Sequence, residues 1–480
     1  MPRPDVEKLS RIRNAEDLAE RCRELGVWLP LGGEVEAGAS APLARSLEVA
    51  GRSLGNRFAI LPMEGWDGTA EGHSTDLVRR RWRRFGRSGA KLIWGGEAVA
   101  VSRDGRANPH QLLIDGKTAP ALGALRQELV DSHAERWGSS DDLLVGLQLT
   151  HSGRYARPDG EARPLVAYRH PVLDARVGVR DDGPVLDDSA IDGIVDDFVL
   201  AAKRAQQAGF HFVDVKHCHG YLAHELLSAF SRPGCFGGDF PGRTRFLRSV
   251  VGGIRAEAPG LEIGIRLSIF DFVPHRPGKQ GVGVPELPSG GVYPHAFGGD
   301  GTGTGIDLEE PSRLLALLEE LGISLVCTTA GSPYYCSHVQ RPSFHPPSDG
   351  YRAPEDPLVG VARQIGATTE LARRHPGLVL VGSGYSYLQE WLPRVAQAAV
   401  EEGGVHVVGI GRMALSYPEL PGDALAGRTL DRRLLCRTFS DCTTAPRNGL
   451  VSGCYPLDAF YKRRPEAEQL ALLKSRARRG

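Results

Sequence analysis

The feature that most constrains this chain is a recurrence. From Arg57 onwards eight short β-rich runs appear, each followed, after a polar or glycine-containing turn, by a helical pattern. They are RFAILP (57–62), KLIW (91–94), LLVGLQL (143–149), HFVDV (211–215), EIGIRL (262–267), ISLVCT (323–328), GLVLV (377–381) and VHVVGI (405–410). Several are continuously apolar rather than alternating, the pattern of parallel strands buried on both faces. Eight β/α units in series predict an α/β fold, a closed (β/α)8 TIM barrel, with catalytic groups at the C-terminal ends of strands and in the loops that follow.

The helices between them are legible. Ile191, Ile194, Val195, Phe198, Ala202 and Ala205 share one face after the capping candidates Asp187 and Asp188, and Gly209 stops that helix. Another starts near Ser312 and carries Leu314, Leu315, Leu317, Leu318 and Leu321 into Gly322. Two insertions interrupt the pattern. The stretch 273–308 is rich in Gly and Pro and is expected to form a lid or contact surface, and 331–360 holds Tyr334, Tyr335, His338, Phe344 and His345 on the same side of the barrel. The expected organisation is an N-terminal cap (1–50), the barrel (51–430) and a cysteine-containing C-terminal tail outside it (431–480).

Charge narrows the function classes. Lys+Arg and Asp+Glu are both 58, so no bulk field attracts nucleic acid or an anionic membrane. Arg79, Arg80, Arg81, Arg83 and Arg84 cluster on one predicted helix whose apolar members Leu77, Val78, Trp82 and Phe85 fall at helical spacing, so the arginines are expected to form its solvated face. No apolar run is long enough to span a bilayer, and the polar N-terminus lacks a secretory signal, which gives a cytoplasmic expectation. The expected partner is a small-molecule substrate; a monomer and a homo-oligomer both stay open.

Two strand ends carry the most chemistry. The turns Gly382-Ser383-Gly384 and Gly411-Arg412, after the seventh and eighth runs, offer free backbone N–H groups and a guanidinium, which together suit a phosphate-bearing ligand. After the fourth run, Lys216, His219 and Tyr221 stand close together as hydrogen-bond donors and a proton donor. His217, Cys218 and His219 cannot wrap a metal ion without further ligands, so no metal is expected there.

These segments also resemble a known family. NRFAILPM (56–63) is similar to the NR-x-x-x-x-PM of old yellow enzymes, QLTHSGR (148–154) to their QL-x-H-x-GR, HGYLAHELLS (219–228) to HGYL-x-x-x-FLS, and FGGDFPGRTRFL (236–247) to YGG…NR-x-RFL. RLS (266–268) and GIGRMALSYPELP (409–421) complete the set, which runs in uninterrupted order through residues 50–421. The style is that of the barrel domains of 2,4-dienoyl-CoA reductase and trimethylamine dehydrogenase. The resemblance implies non-covalent FMN, with Pro62 and Met63 giving backbone contacts, Ala98 abutting the flavin, Gln148 bonding its pyrimidine edge and Arg266 near N1 and O2. It assigns the phosphate to Gly384, Gly411 and Arg412, and it places Lys216 and His219 at the pair that anchors the substrate oxygen, with Tyr221 as proton donor.

This chain departs from the family pattern in three places. Lys216 stands where a His is usual, adding a point charge near flavin or substrate. Glu64 follows PM where Thr, Cys or Gly is usual, and is expected either to lower the flavin potential or to stay protonated. The loop between Ser231 and Phe236 is about two residues shorter than usual. In the tail, Cys442 and Cys454 keep the x11 spacing of an iron-sulfur motif, but Cys436 is one position out of register and the fourth thiolate is missing, so the cluster is expected to be lost. No further nucleotide-binding domain is expected after Gly480.

The leading expectation is an FMN enzyme that uses NAD(P)H to reduce an activated C=C bond. Its alternatives are oxidation of an amine or saturated ring on the same cofactor, and, from another class, a non-redox barrel that binds a phosphate ligand or uses Lys216 as a Schiff-base amine.

Overall fold

The computed structural model describes residues 6–288 and 290–477. Eight parallel strands close a barrel: β1 (Phe58–Ile60), β2 (Leu92–Ile93), β3 (Leu144–Thr150), β4 (Phe212–Val215), β5 (Glu262–Ser268), β6 (Leu325–Thr329), β7 (Val379–Gly382) and β8 (Val407–Ile410). Closure comes from β1 pairing β8 in the register Ile60↔Ile410 and from β2 pairing both β1 and β3. Each strand overlaps one of the apolar runs, with β3, β5, β6 and β7 continuing one residue past its C-terminal end. The helix Asp188–Gln207 starts where expected, with the Asp187 side chain accepting from Ala190 N–H, and Gly209 beyond its end takes a positive φ of 84°. A second helix spans Glu309–Glu320.

The barrel interior is filled by Ala59, Leu61, Leu92, Trp94, Leu144, Phe212, Leu325, Cys327, Val381 and Val407. Its N-terminal end is sealed by the antiparallel pair Leu47–Val49 and Arg52–Leu54, whose Val49 and Leu54 join the same cluster. The second run ends sooner than its sequence predicts. After Ile93 the chain bulges through Gly95, Gly96 and Glu97, and pairing resumes only at Ala98–Ala100 against Gln148–Thr150. Gly96 sits at φ 59°, and a Cβ there would lie 2.4 Å from the Trp82 ring. Its carbonyl accepts from Met63 N–H at 2.8 Å, so the bulge supports the chain just beyond β1.

The two insertions pack on one another above the mouth. In the first, His275–Pro277 pairs with Gly283–Pro285. His275 N–H donates to Tyr335 O and Gly283 N–H to Arg352 O, both in the second insertion. No described helix is long and apolar enough to cross a membrane.

The arginine cluster corrects one expectation. Arg79 and Arg83 are exposed, but Arg81 is buried, ion-paired to Asp67 and Glu97. Arg80 bonds both oxygens of Asp458 at 3.0 and 2.9 Å and so fixes the C-terminal segment to this helix. The helical-wheel argument failed at Arg81 because it counts apolar side chains and cannot see a carboxylate waiting inside. Burial pushes the Glu97 carboxyl up to about 7, against the pull of Arg81. Glu97 also accepts from Gly65 N–H at 3.3 Å, so the triad anchors the loop that follows Met63.

Replacing Arg81 with Met would leave two buried carboxylates without a cation, an expected loss of about 3–5 kcal/mol. Glu97, already raised to about 7 by burial, would lose the charge that holds it down, so above pH 7 the folded variant would keep a proton that the folded wild type releases. Denaturant unfolding should therefore show a deficit that is steady from pH 5 to pH 7 and grows above pH 7, and a deficit independent of pH up to pH 9 would contradict this account.

Candidate functional site

A cavity opens at the C-terminal end of the barrel. Its lining takes in Pro62, Met63 and Glu64 after β1, Gln148 on β3, Lys216 and His219 after β4, Arg266 on β5, Ser383 and Gly384 after β7, and Gly411 and Arg412 after β8. Candidates separated by as many as 350 residues thus meet in one place. Ala98, Gly382 and Tyr221 stand behind the lining: Ala98 opens the resumed second strand, Gly382 ends β7, and Tyr221 is buried at 1% exposure.

Inside the barrel the carboxylate of Asp214 organises one wall. It accepts from Gln148 Nε2 at 2.6 Å, from Trp94 Nε1 at 2.7 Å and from the Arg266 backbone N–H at 2.7 Å. A carboxylate only accepts, so the amide nitrogen of Gln148 must face Asp214 and its Oε1 is left to the cavity as an acceptor. Burial raises the Asp214 carboxyl to about 6, while the three hydrogen bonds and the Arg266 charge act the other way.

A polar array faces this wall. Lys216 Nζ lies 3.8 Å from Glu64 Oε2 and 3.8 Å from the centre of the Tyr221 ring. The Tyr221 hydroxyl donates to the Glu64 carboxylate, 3.2 Å from each oxygen, and accepts from the Tyr334 hydroxyl at 2.9 Å. Gln111 Nε2 donates to Glu64 Oε1 at 3.1 Å and to Ala98 O. Burial, then the Glu64 charge and Tyr334, hold the Tyr221 phenol well above its ordinary range, so it stays protonated. The His219 imidazole is kept well below its usual value by burial and by the charges of Arg266 and Lys216, and is therefore neutral; its Nε2 lies 3.3 Å from both Thr329 Oγ1 and Gln340 Nε2. Its backbone takes φ 67°, a strained left-handed conformation for a non-glycine residue.

The phosphate-suited end is cationic. Arg412 donates through one nitrogen to Pro342 O at 2.7 Å, while its other terminal nitrogen is buried without a partner. Gly384 takes φ 97°, and Gly411 has open space where a side chain would begin, the nearest atom being Met63 Sδ at 3.7 Å. An orphaned buried guanidinium nitrogen beside two glycine turns fits an anionic phosphate.

Several lining residues were missed in the sequence: Thr329 at the end of β6, Gln340 and Arg341 beyond it, and Cys442, Thr443, Pro446, Arg447 and Ser452 from the C-terminal segment. Tyr334 was noted only as one of a cluster, although its hydroxyl partners Tyr221. The proximity of the second insertion to the mouth was the usable signal; nothing in the sequence placed the C-terminal segment over the cavity. Of the three tail cysteines, Cys442 lines the cavity and Cys436 and Cys454 lie behind it, and among the described residues no His, Cys, Asp or Glu group is arranged to hold a metal ion.

A family model described as NADH:flavin oxidoreductase / NADH oxidase matches residues 45–283. A metal reductase of Desulforamulus reducens is 26% identical over 380 residues, 78% of this chain and 47% of that protein, so the chain spans about half its length. An NADPH dehydrogenase of Clostridium acetobutylicum is 31% identical over 229 residues, 46% of this chain and 61% of the relative. Among solved structures, an old yellow enzyme homologue from Zymomonas mobilis superposes with a TM-score of 0.56 at 20% identity, over 81% of this chain and 94% of its own, a likeness of fold.

The Asp214 wall makes a signed prediction. Its folded-state pKa lies above the ordinary carboxyl value, so the stability it contributes is fully present near pH 4 and declines as pH rises through about 6. Relative to wild type, the destabilisation of Asp214→Asn should therefore be largest near pH 4 and shrink by about 3 kcal/mol up to pH 7, two pKa units' worth. Unfolding measured across that range with a deficit that widens towards pH 7 would contradict the assignment.

Proposed function

The chain belongs to the NADH:flavin oxidoreductase family of old yellow enzyme type, and on that premise we propose that it is a cytoplasmic enzyme that holds FMN non-covalently in the mouth cavity and uses NAD(P)H to reduce an activated C=C bond of a small molecule. The observation that carries this reading is that one cavity joins the Gln148 and Arg266 wall, the unpartnered guanidinium nitrogen of Arg412, and the donors Lys216 and His219, with Tyr221 directly behind Lys216.

Pro62 and Met63 would line the flavin along one edge, with Ala98 close behind. Gln148, held by Asp214, would offer Oε1 to a ring N–H, and Arg266 would supply positive charge beside a ring oxygen. Ser383, Gly384, Gly411 and Arg412 would hold the phosphate, with Gly382 setting the turn. Bound FMN supplies hydride chemistry that no side chain here offers. Neutral His219 and Lys216 can polarise the activating oxygen of the substrate, and Tyr221, protonated throughout the neutral range, can give its proton to the carbon that does not receive hydride. The Tyr334 hydroxyl lies 2.9 Å from the same oxygen and helps keep it protonated until a substrate is bound.

The charges of Lys216 and Glu64 face one another. A carboxylate alone would oppose electron uptake by the flavin and an ammonium alone would favour it, so together they leave little net effect.

Purified protein should carry about one FMN per chain and oxidise NAD(P)H with an electron-poor alkene as acceptor. Protein that takes up no added FMN would end the reading. Tyr221→Phe should lower turnover of a slow alkene acceptor by about 100-fold or more with FMN binding intact. Glu64→Gln should raise the flavin reduction potential and Lys216→Met should lower it. The double variant should return close to wild type, and a double variant that keeps the shift of either single variant would disprove the offset.

A further inference from the structure

At the phosphate end of the cavity two arginines lack a counter-ion among the described residues. Arg412 has one buried terminal nitrogen without a partner, and so has Arg341. Neither forms an ion pair among the described residues, whereas Arg447, on the same wall, is held by both oxygens of Asp349 at 2.8 Å. Burial and the neighbouring charges of Arg412 and Arg447 push Arg341 down to about 9. Two like charges held together inside a cavity cost stability unless an anion joins them, and a guanidinium fork suits the oxygens of a phosphate.

Arg341 does not belong to the glycine turns after β7 and β8. It follows the short helix Ser337–Gln340 in the second insertion, and its other terminal nitrogen donates to Thr443 Oγ1 in the C-terminal segment. One guanidinium therefore touches both the phosphate end of the cavity and the segment that covers it.

We propose that Arg341 is a second guanidinium ligand of the cofactor phosphate, and that through Thr443 it couples phosphate binding to docking of residues 442–452 over the mouth. The inference rests on the flavin reading and assigns to that site a phosphate selectivity set outside the barrel's own turns. Riboflavin has the same ring system without the phosphate, so it separates ring recognition from phosphate recognition.

The test is fluorescence titration of apoprotein with FMN and with riboflavin, joined to hydrogen exchange of residues 442–452. Wild type should prefer FMN strongly. Arg341→Gln should cut that preference at least about tenfold while riboflavin affinity holds, with Arg341→Lys in between, because charge-assisted bonds to an anion are worth at least that much. Exchange in 442–452 should slow with FMN more than with riboflavin, and Thr443→Val should abolish that difference while leaving most of the FMN preference. Equal loss of both flavins in Arg341→Gln, or no loss of either, would overturn the phosphate assignment alone. Exchange that slows equally with both flavins, or that Thr443→Val leaves unchanged, would overturn the coupling. Wild-type protein that binds neither flavin would bring down the cofactor reading and this inference together.

Discussion

Everything that the cavity presents to a planar ligand depends on the carboxylate of Asp214. It sits at the core of a closed barrel and gathers an indole from the bulged second strand, an amide from β3 and a backbone N–H of β5. Those bonds tie neighbouring strands together inside the barrel and also decide which atom of Gln148 faces outward. A hydrogen-bond acceptor of fixed identity, rather than a rotatable amide, is what orients a ring. The buried acid has a cost, visible in its raised pKa, that an apolar core would not carry.

Lys216 and Glu64 looked like two separate departures from the family pattern. In the structure they are one ion pair across the mouth, with Tyr221 between them as acceptor of a cation–π contact and donor of a hydrogen bond. The expectation that Lys216 adds an isolated point charge therefore gives way to a neutral pair. The pairing also bears on the two roles considered for Glu64, because an adjacent ammonium offsets the charge through which a carboxylate would lower a flavin potential. A chain that replaces a neutral histidine by lysine needs such a carboxylate, or the extra charge would bias both the flavin and the choice of substrate.

What was legible in the sequence follows a physical rule. Strands announced themselves because buried parallel strands must be apolar throughout, and Gly384, Gly411 and Arg412 because backbone turns and a guanidinium are a local signature. Asp187 as a cap and Gly209 as a stop were equally local. Arg81 was misread because a buried ion pair with Asp67 and Glu97 depends on partners 14 and 16 residues away on other elements, which no periodicity reveals. The break in the second strand escaped notice because the glycines of GGE read as an ordinary turn, while pairing to Gln148 resumes just beyond them.

The second insertion and the C-terminal segment were the least legible parts, and they complete the mouth. A (β/α)8 barrel supplies a phosphate site from its last two turns, but those turns leave its outer side open to water. Here the open side is walled by Arg341 from one irregular segment and by Thr443 and Arg447 from another, each held by side-chain bonds rather than by strand pairing. Such segments have no repeating pattern to recognise, since their backbone groups are satisfied one contact at a time. The same property suits them to respond to a ligand: a wall whose arginines repel one another is less stable empty than filled, so a bound anion adds to the stability of the lid as well as to its own binding.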